Sequence, residues 1–202
     1  MAAVALALGA SLAWGCSDFL AGLKSRQVAL LWVLLVSQGT GLVIMVAVVA
    51  ASGEPLPGLE PVAWAAASGV AEVIGFAALY RGLAIGAMSV VAPVSATAAL
   101  VPLIVGLAAG QAPSALEGAG IVVALAGAAL ASFEPDGGGG HGRPATGMAL
   151  ALLAAGCFGG FFVAIDAAAD HGPLWAVTLS RAAAFAVVVG AVAGVAALAL
   201  AR

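Results

Sequence analysis

Residues 64–133 of the chain read WAAASGVAEVIGFAALYRGLAIGAMSVVAPVSATAALVPLIVGLAAGQAPSALEGAGIVVALAGAALASF. Three segments of this stretch are each long enough to cross a lipid bilayer, which takes about 20 apolar residues at a rise of about 1.5 Å per residue. Glu72 lies near the middle of the first segment, and Pro93 and Pro102 interrupt the second. Because a buried charge and a broken helix both destabilise a protein in lipid, a passive membrane anchor is expected to lack them.

The composition of the whole chain excludes a soluble globular domain. Of its 202 residues, 64% are hydrophobic and 7% are charged. A soluble domain carries about 25% charged residues, so this chain has too few polar groups to cover a globular surface. Its net charge of −3, with only six lysines and arginines, argues against a nucleic-acid partner. We therefore predict an all-α, multi-pass membrane protein surrounded by the lipid bilayer.

No residue pattern in the sequence indicates enzyme chemistry. Cys16 and Cys157 lie inside apolar segments, and His141 and His171 lie in connections, none of them at metal-ligand spacing. The sequence contains no H-E-x-x-H, G-x-S-x-G, P-loop or C-x-x-C motif. We predict no enzymatic activity, no metal and no cofactor.

Apolar segments divide the chain into seven predicted membrane spans. They cover residues 2–21, 28–51, 64–80, 83–110, 115–133, 146–165 and 173–201. Residues 134–144, EPDGGGGHGRP, form the one clear linker. Its glycines and prolines cannot hold a helix, and its polar composition places it in water.

The sequence after this linker repeats the sequence before it. The matches are residues 5–8 with 149–152, Trp14-Gly15 with Phe158-Gly159, Leu31-Trp32 with Leu174-Trp175, and Ser37-Gln38 with Ser180-Arg181. The first two matches have an offset of 144 residues and the last two an offset of 143. The predicted domains are a five-helix repeat (1–133), the linker (134–144) and a partial second repeat (145–202).

The number of spans and the loop charges both predict that the second copy is inverted. Five spans precede it, and an odd number gives the inverted-repeat arrangement of many secondary transporters. The loop after the first span carries Lys24 and Arg26, whereas its counterpart after the sixth carries Asp166 and Asp170. Opposite loop charge follows from opposite topology under the positive-inside rule. The predicted fold is a bundle of seven transmembrane helices, one five-helix repeat plus the first two helices of an inverted second repeat.

Four motifs carry a resemblance to a known family. They are SLAWGCSDFL at residues 11–20, ALYRGLA at 78–84, the dipeptides Ala92-Pro93 and Val101-Pro102, and the glycines between 106 and 127. With these motifs in this order, the whole chain resembles the EamA type of the drug/metabolite transporter superfamily. The resemblance implies ten helices in two inverted repeats, and transport, more often export, of metabolites, amino acids or drugs. One residue departs from the family, because Gln111 stands where members commonly carry a glutamate.

Glu72 is the first candidate functional residue. It lies eight residues from either end of its predicted span, near the bilayer midplane, where a carboxylate costs about 2.5–3.5 kcal/mol. Ser68, Phe76 and Tyr80 share its helix face at helical spacing, as residues that line a cavity would. In such a cavity Glu72 would bind a proton, a cation or a basic part of a substrate. The alternative is a structural carboxylate that holds two helices together.

Asp18 and Arg181 are two further charged residues inside predicted spans. Asp18 shares a helix face with Trp14 and would point inward with it, but we favour a solvated pair with Lys24 near the membrane surface. Arg181 needs a counter-charge or water at its depth. A pair with Glu72 or Asp18 would be structural, whereas an unpaired guanidinium would bind a substrate carboxylate or phosphate.

Aromatic residues and prolines complete the predicted site. The expected apolar walls are Trp14, Phe76, Tyr80 and Phe158. Pro93 and Pro102 each remove a hydrogen bond within the helix, and broken helices line many transporter sites. A simple kink is the interpretation we favour for both prolines.

These residues predict a secondary active carrier in a bacterial inner (plasma) membrane. It would move small organic metabolites or drugs by alternating access at a midplane cavity between inverted repeats. The expected partners are a small-molecule substrate and a proton or cation as coupling ion. The alternative is a non-transporting membrane scaffold or a non-functional truncated carrier.

Two expectations concern topology and length. All lysines and arginines outside the spans follow odd-numbered spans, which puts the N-terminus outside, whereas the family resemblance implies a cytoplasmic N-terminus. At the repeat offset, the third helix of the second copy would begin near residue 205. We expect either about 75 further residues or an assembly of chains, such as a homodimer, to complete the second repeat.

Overall fold

Long apolar segments fold as helices, because a helix satisfies its backbone N–H and C=O groups internally. The computed structural model describes residues 2–86, 88–131, 144–170 and 172–201. Its helices are α1 (Ala2–Lys24), α2 (Leu30–Ser52), α3 (Glu60–Ile85), α4 (Met88–Ala96), α5 (Leu100–Ala108), α6 (Ala115–Ala131), α7 (Pro144–Ala169) and α8 (Pro173–Leu200). A 3₁₀ turn, Thr97–Ala99, joins α4 to α5. No strand occurs in these ranges, so the all-α prediction is confirmed.

Six segments in the described ranges are long and apolar enough to cross a membrane. They are Val4–Lys24, Leu30–Ser52, Glu60–Ile85, Ser89–Ala108, Ala145–Ala169 and Pro173–Leu200. Helix α6 is also apolar, but its 17 residues extend over only about 26 Å, less than the hydrocarbon thickness of about 30 Å. By length and composition these are the helices of a multi-pass membrane protein. The fifth predicted span, residues 115–133, therefore stays a prediction, and with it the number of seven spans. Most of the predicted linker lies outside the described residues.

Charged residues do not end the helices where the sequence predicted. Helix α1 continues to Lys24, and α3 continues to Ile85, so that Arg81 lies inside α3 and not in a connection. Lysine and arginine are good helix formers, so a single charge does not stop a helix that begins in an apolar segment. Helix α7 likewise begins at Pro144 and extends past Asp166 to Ala169.

One helix break lies between the two prolines, in place of the two predicted interruptions. Pro93 lies inside α4, and the 3₁₀ turn Thr97–Ala99 separates α4 from α5. Pro102 has no N–H to donate to the Ala98 carbonyl, and its ring clashes with that carbonyl, so the preceding turn tightens. The Thr97 hydroxyl donates to the Val94 carbonyl at 2.7 Å, a bond that also bends helices.

Helix α3 lies at the centre of the described bundle, in contact with α1, α4, α7 and α8. Small residues on α3 allow these close contacts. A Cβ atom at Gly75 would lie 2.9 Å from the Phe158 ring of α7, and one at Gly69 would overlap the Ser180 carbonyl of α8. Such small-residue faces are a common way to pack helices in membranes.

Contacts along α3 fix the directions of its neighbours. Helix α1 runs parallel to α3, because Asp18 lies by Tyr80 and Gly22 lies further along by Leu83. Helix α7 runs antiparallel to α3, because Phe158 lies by Gly75 and Gly147, earlier in α7, lies by Gly86. Helices α1 and α7, which the repeat matches to each other, therefore run in opposite directions. An inverted repeat requires this arrangement, while the duplication itself stays a prediction.

The two ends of the bundle carry opposite charge. Lys24, Arg26 and Arg81 lie at the end where α1 and α3 finish, which we call the basic end. The opposite, acidic end holds the described residues Glu54, Glu60, Glu117, Asp166 and Asp170. The Arg26 guanidinium also donates to the Leu83 carbonyl at 2.8 Å and so ties α1 to the end of α3.

We predict that replacing Gly69 by alanine lowers the apparent melting temperature of the detergent-purified protein. The added methyl group would push α3 away from the Ser180 backbone of α8. Gly190→Ala is the matched control, because it also adds a methyl group inside a helix but meets no atom within 4 Å. Equal melting temperatures for the two variants would contradict the close packing of α3 on α8.

We also predict that the basic end faces the cytoplasm, which puts the N-terminus on the other side. A reporter that is active only in the cytoplasm should be inactive at the N-terminus. The same reporter inserted between α1 and α2, after Arg26, should be active. An active reporter at the N-terminus would favour the topology that the family resemblance implies.

Candidate functional site

Glu72, which is buried, and Arg181, which is partly buried, form an ion pair inside the bundle. Glu72 lies on α3 and is 2% exposed. Its Oε1 atom lies 2.7 Å from Nη1 of Arg181 on α8. The sequence left open whether Arg181 is paired, and the structure selects the pair with Glu72. Each charge reduces the cost of burying the other in lipid, so the pair joins α3 to α8.

Gln38 brings a third helix to this pair. Arg181 Nη1 donates to Gln38 Oε1 of α2 at 2.9 Å, and Gln38 is fully buried. Gly41 of α2 also lies against the arginine stem, where a Cβ atom would make an ordinary contact of 3.5 Å with Arg181 Cδ. Gln38 and Arg181 are also the residues that the repeat matches to each other. Counterparts related by a two-fold axis meet only near that axis, so this contact lies between the two predicted repeats.

A pair of serines extends the polar contact between α3 and α8. The Ser68 hydroxyl lies 2.8 Å from the Ser180 hydroxyl and 2.8 Å from the Ala65 carbonyl. Both serines are buried. The face of α3 that carries Ser68 and Glu72 is therefore directed toward α8, as well as toward a cavity.

Two buried polar atoms of this cluster have no hydrogen-bond partner in the described part of the chain. They are Glu72 Oε2 and Gln38 Nε2, an acceptor and a donor. Leaving a buried polar group unsatisfied costs about 1–3 kcal/mol, and more when the group is charged. Water or a ligand that reaches Glu72 would therefore be held there by a strong hydrogen bond.

Asp18 has a different partner from the one predicted. The Tyr80 hydroxyl donates to Asp18 Oδ1 at 3.1 Å, and Tyr80 is 1% exposed. Asp18 and Lys24 form no ion pair. Lys24 is six residues further on, about 240° around the helix, so the two side chains leave α1 in different directions. Asp18 thus faces α3, where its partner is neutral.

A cavity of about 500 Å³ lies between α1, α3, α7 and the α4–α5 break. Both Asp18 and Glu72 line it. Six aromatic residues are part of its wall: Trp14, Phe19, Phe76, Phe158, Phe161 and Phe162. None of its described lining residues is a lysine, arginine or histidine. Two carboxylates in an aromatic cavity would accept hydrogen bonds from a ligand with an apolar body.

The structure brings most of the predicted site residues together. Glu72, Asp18, Trp14, Phe76 and Phe158 line this central cavity. Their ring packing is specific, because Phe76 meets Phe158 edge-on with the ring centres 5.1 Å apart.

The other predicted residues lie just outside the cavity wall. Tyr80 and Arg181 support it through their bonds to Asp18 and Glu72. Pro93 and Pro102 do not line it, although the break near Pro102 places Ala98 and Ala99 at its edge.

Sequence reasoning missed Gln38 and three aromatic residues of this region, Phe19, Phe161 and Phe162. Phe161 and Phe162 line the cavity, and their spacing of three and four residues from Phe158 on one helix could have revealed them. Gln38 was noticed only as the repeat counterpart of Arg181. A buried amide in an apolar span is itself a signal, because it must find a hydrogen-bond partner.

A second cavity, of about 560 Å³, lies between α5 and α7 at the acidic end. Its lining includes Pro102, Gln111 and Asp166. Phe162 lines both cavities, so its ring stands between them. The ring also contacts Trp14 of α1, with the ring centres 6.1 Å apart.

Comparison of the chain with models of known protein families, with curated proteins and with solved structures gives no match. The class that the fold and the site define is a multi-pass helical membrane protein with a central cavity, lined by aromatic rings and two carboxylates.

We predict that Arg181→Met destabilises the protein by about 3–5 kcal/mol, because the charge of Glu72 loses its partner. The double variant with Glu72→Gln should recover much of this loss, since no unpaired charge is then buried. Thermal unfolding in detergent of the single and double variants measures this coupling. Arg81→Met, which removes an exposed arginine of α3, is the control. Additive effects of the two single substitutions would contradict the pair.

Proposed function

We propose that this protein is a secondary active carrier that moves small organic molecules across a bacterial inner membrane. It would work by alternating access between two inverted repeats of the EamA type, with α6 as an additional span. The observation that carries the proposal is the central cavity, which is lined by two carboxylates from different helices, Asp18 of α1 and Glu72 of α3. A scaffold that binds other proteins through its surface does not need carboxylates in such a cavity.

The directions of the helices support this mechanism. Helices α1 and α7 run in opposite directions, and Gln38 and Arg181 meet where α2 packs on α8. Carriers built from inverted repeats bind their substrates near the midplane, at the interface of the repeats. The cavity is lined by α1, α3 and α7, which belong to both predicted repeats.

The two cavities supply an access route for the substrate. Phe162 lines both of them, and the outer cavity includes the exposed residues Asp166 and Gln111 at the acidic end. A rotation of this ring, or a shift of α7 against α5, would join the cavities. Closing this route while opening one toward the basic end would constitute alternating access.

Coupling to an ion follows from the chemistry of Glu72. Its Oε1 is held by Arg181, and its Oε2 is buried without a partner in the described structure, so a proton, a cation or a donor group of the substrate would reach it only when the surrounding helices move. A proton and a substrate that need the same oxygen exclude each other. The carrier would therefore move the proton and the substrate across the membrane in opposite directions.

We predict that Glu72→Gln abolishes transport driven by a pH gradient. The reason is that the glutamine amide, unlike a carboxylate, does not take up and release a proton. Proteoliposomes would be loaded with an aqueous metabolite extract. Mass spectrometry would then identify the solutes that leave only when the protein is present.

Glu54→Gln, a change at an exposed residue outside the helices, is the control for this experiment. Size-exclusion chromatography would check that both variants are folded. Unchanged transport and pH dependence in Glu72→Gln would make this residue structural. The absence of any solute movement with the unaltered protein would favour the scaffold.

A further inference from the structure

We propose that the ligand of the central cavity is a monovalent organic cation, an ammonium group attached to an apolar, ring-sized body. Asp18 supplies the charge that selects it. The inference rests on the proposed function, since it names the substrate class of the same site. It can be tested by binding alone, without transport.

The balance of charges around the cavity indicates one positive charge on the ligand. Arg181 compensates for Glu72 through their ion pair. Asp18 accepts a hydrogen bond from the neutral Tyr80 hydroxyl and forms no ion pair in the described structure. These three ionisable groups therefore leave a formal charge of −1. One monovalent cation neutralises it, whereas an anion would be repelled by two carboxylates.

The Asp18 carboxylate indicates that the cation carries N–H groups. It is partly exposed, lines the cavity and accepts a hydrogen bond from Tyr80 on Oδ1. An ammonium N–H group can donate to this carboxylate, and hydrogen bonds between charged groups are among the stronger ones in proteins. A quaternary ammonium group has no N–H to donate to it.

The aromatic wall indicates the rest of the ligand. Six aromatic side chains face a volume of about 500 Å³, within the range of about 300–1,000 Å³ that is usual for small-molecule sites. The faces of such rings attract cations within about 6 Å, and their surface packs against apolar groups. A bare metal ion would leave most of this wall without contact.

Binding to the purified full chain in detergent tests the proposal with three probes that share one body. They are phenethylamine, which is protonated at neutral pH, the neutral 2-phenylethanol and the anionic 3-phenylpropanoate. Isothermal titration calorimetry should show phenethylamine binding at least about tenfold more tightly than 2-phenylethanol, because its charged N–H groups meet the Asp18 carboxylate. The anion should not bind.

Asp18→Asn removes the charge but keeps an oxygen that can accept the Tyr80 bond. It should lower the affinity for phenethylamine about tenfold or more and leave the affinity for 2-phenylethanol unchanged. Glu54→Gln, which removes a carboxylate outside the cavity, should change neither affinity. An unaltered melting temperature would show that Asp18→Asn preserves the fold.

Three results would overturn the proposal. They are equal affinities of the unaltered protein for phenethylamine and 2-phenylethanol, a preference for the cation that persists in Asp18→Asn, and no binding of either probe. Selective binding of phenethylamine without any transport would contradict only the proposed function. Transport of neutral or anionic solutes without this selectivity would contradict only the substrate class.

Discussion

A carboxylate and a guanidinium can be buried together among apolar helices, whereas either one alone is strongly unfavourable there. The Glu72–Arg181 pair therefore fixes the position of α3 against α8, and Gln38 adds α2 to the same contact. Displacing α3 or α8 would leave a charge without its partner, and displacing α2 would remove a hydrogen bond from Arg181. A small residue makes the contact geometrically possible, since Gly69 lets the backbones of α3 and α8 approach near the charged side chains.

The central cavity forms because α3 cannot pack closely on every side. The polar face of α3 is held against α8, and Gly75 brings α7 close at the Phe158 ring. The break between α4 and α5 turns the chain at the level of the cavity, because Pro102 cannot continue the preceding helix. The rings that project from α1, α3 and α7 then surround an open volume, and Glu72 faces both the pair and the cavity.

The sequence predicted which residues form the site better than it predicted which of these residues contact each other. Glu72, Asp18 and the aromatic walls could be found because polar or bulky residues stand out in apolar spans. The sequence left Glu72 and Asp18 as possible partners of Arg181. The choice between them depends on which helices pack together. The sequence predicted that Tyr80 is part of the cavity wall, whereas its hydroxyl donates a hydrogen bond to Asp18 on another helix. Helix ends were misplaced at Arg81, because a charged side chain at a membrane surface does not interrupt helical hydrogen bonding.

The two carboxylates of the cavity differ in whether their charge is permanently compensated. Glu72 has a fixed partner, and exchanging that partner would separate α3 from α8. Asp18 has only a neutral donor, so its charge can be neutralised by a proton or a bound cation without disturbing the helix contacts. Under the proposed function the two acids have different roles, since Asp18 binds the substrate cation while Glu72 couples its pair with Arg181 to the uptake and release of a proton. A site with two compensated acids would not favour a cation, and one with two uncompensated acids would be too unstable in lipid without a ligand.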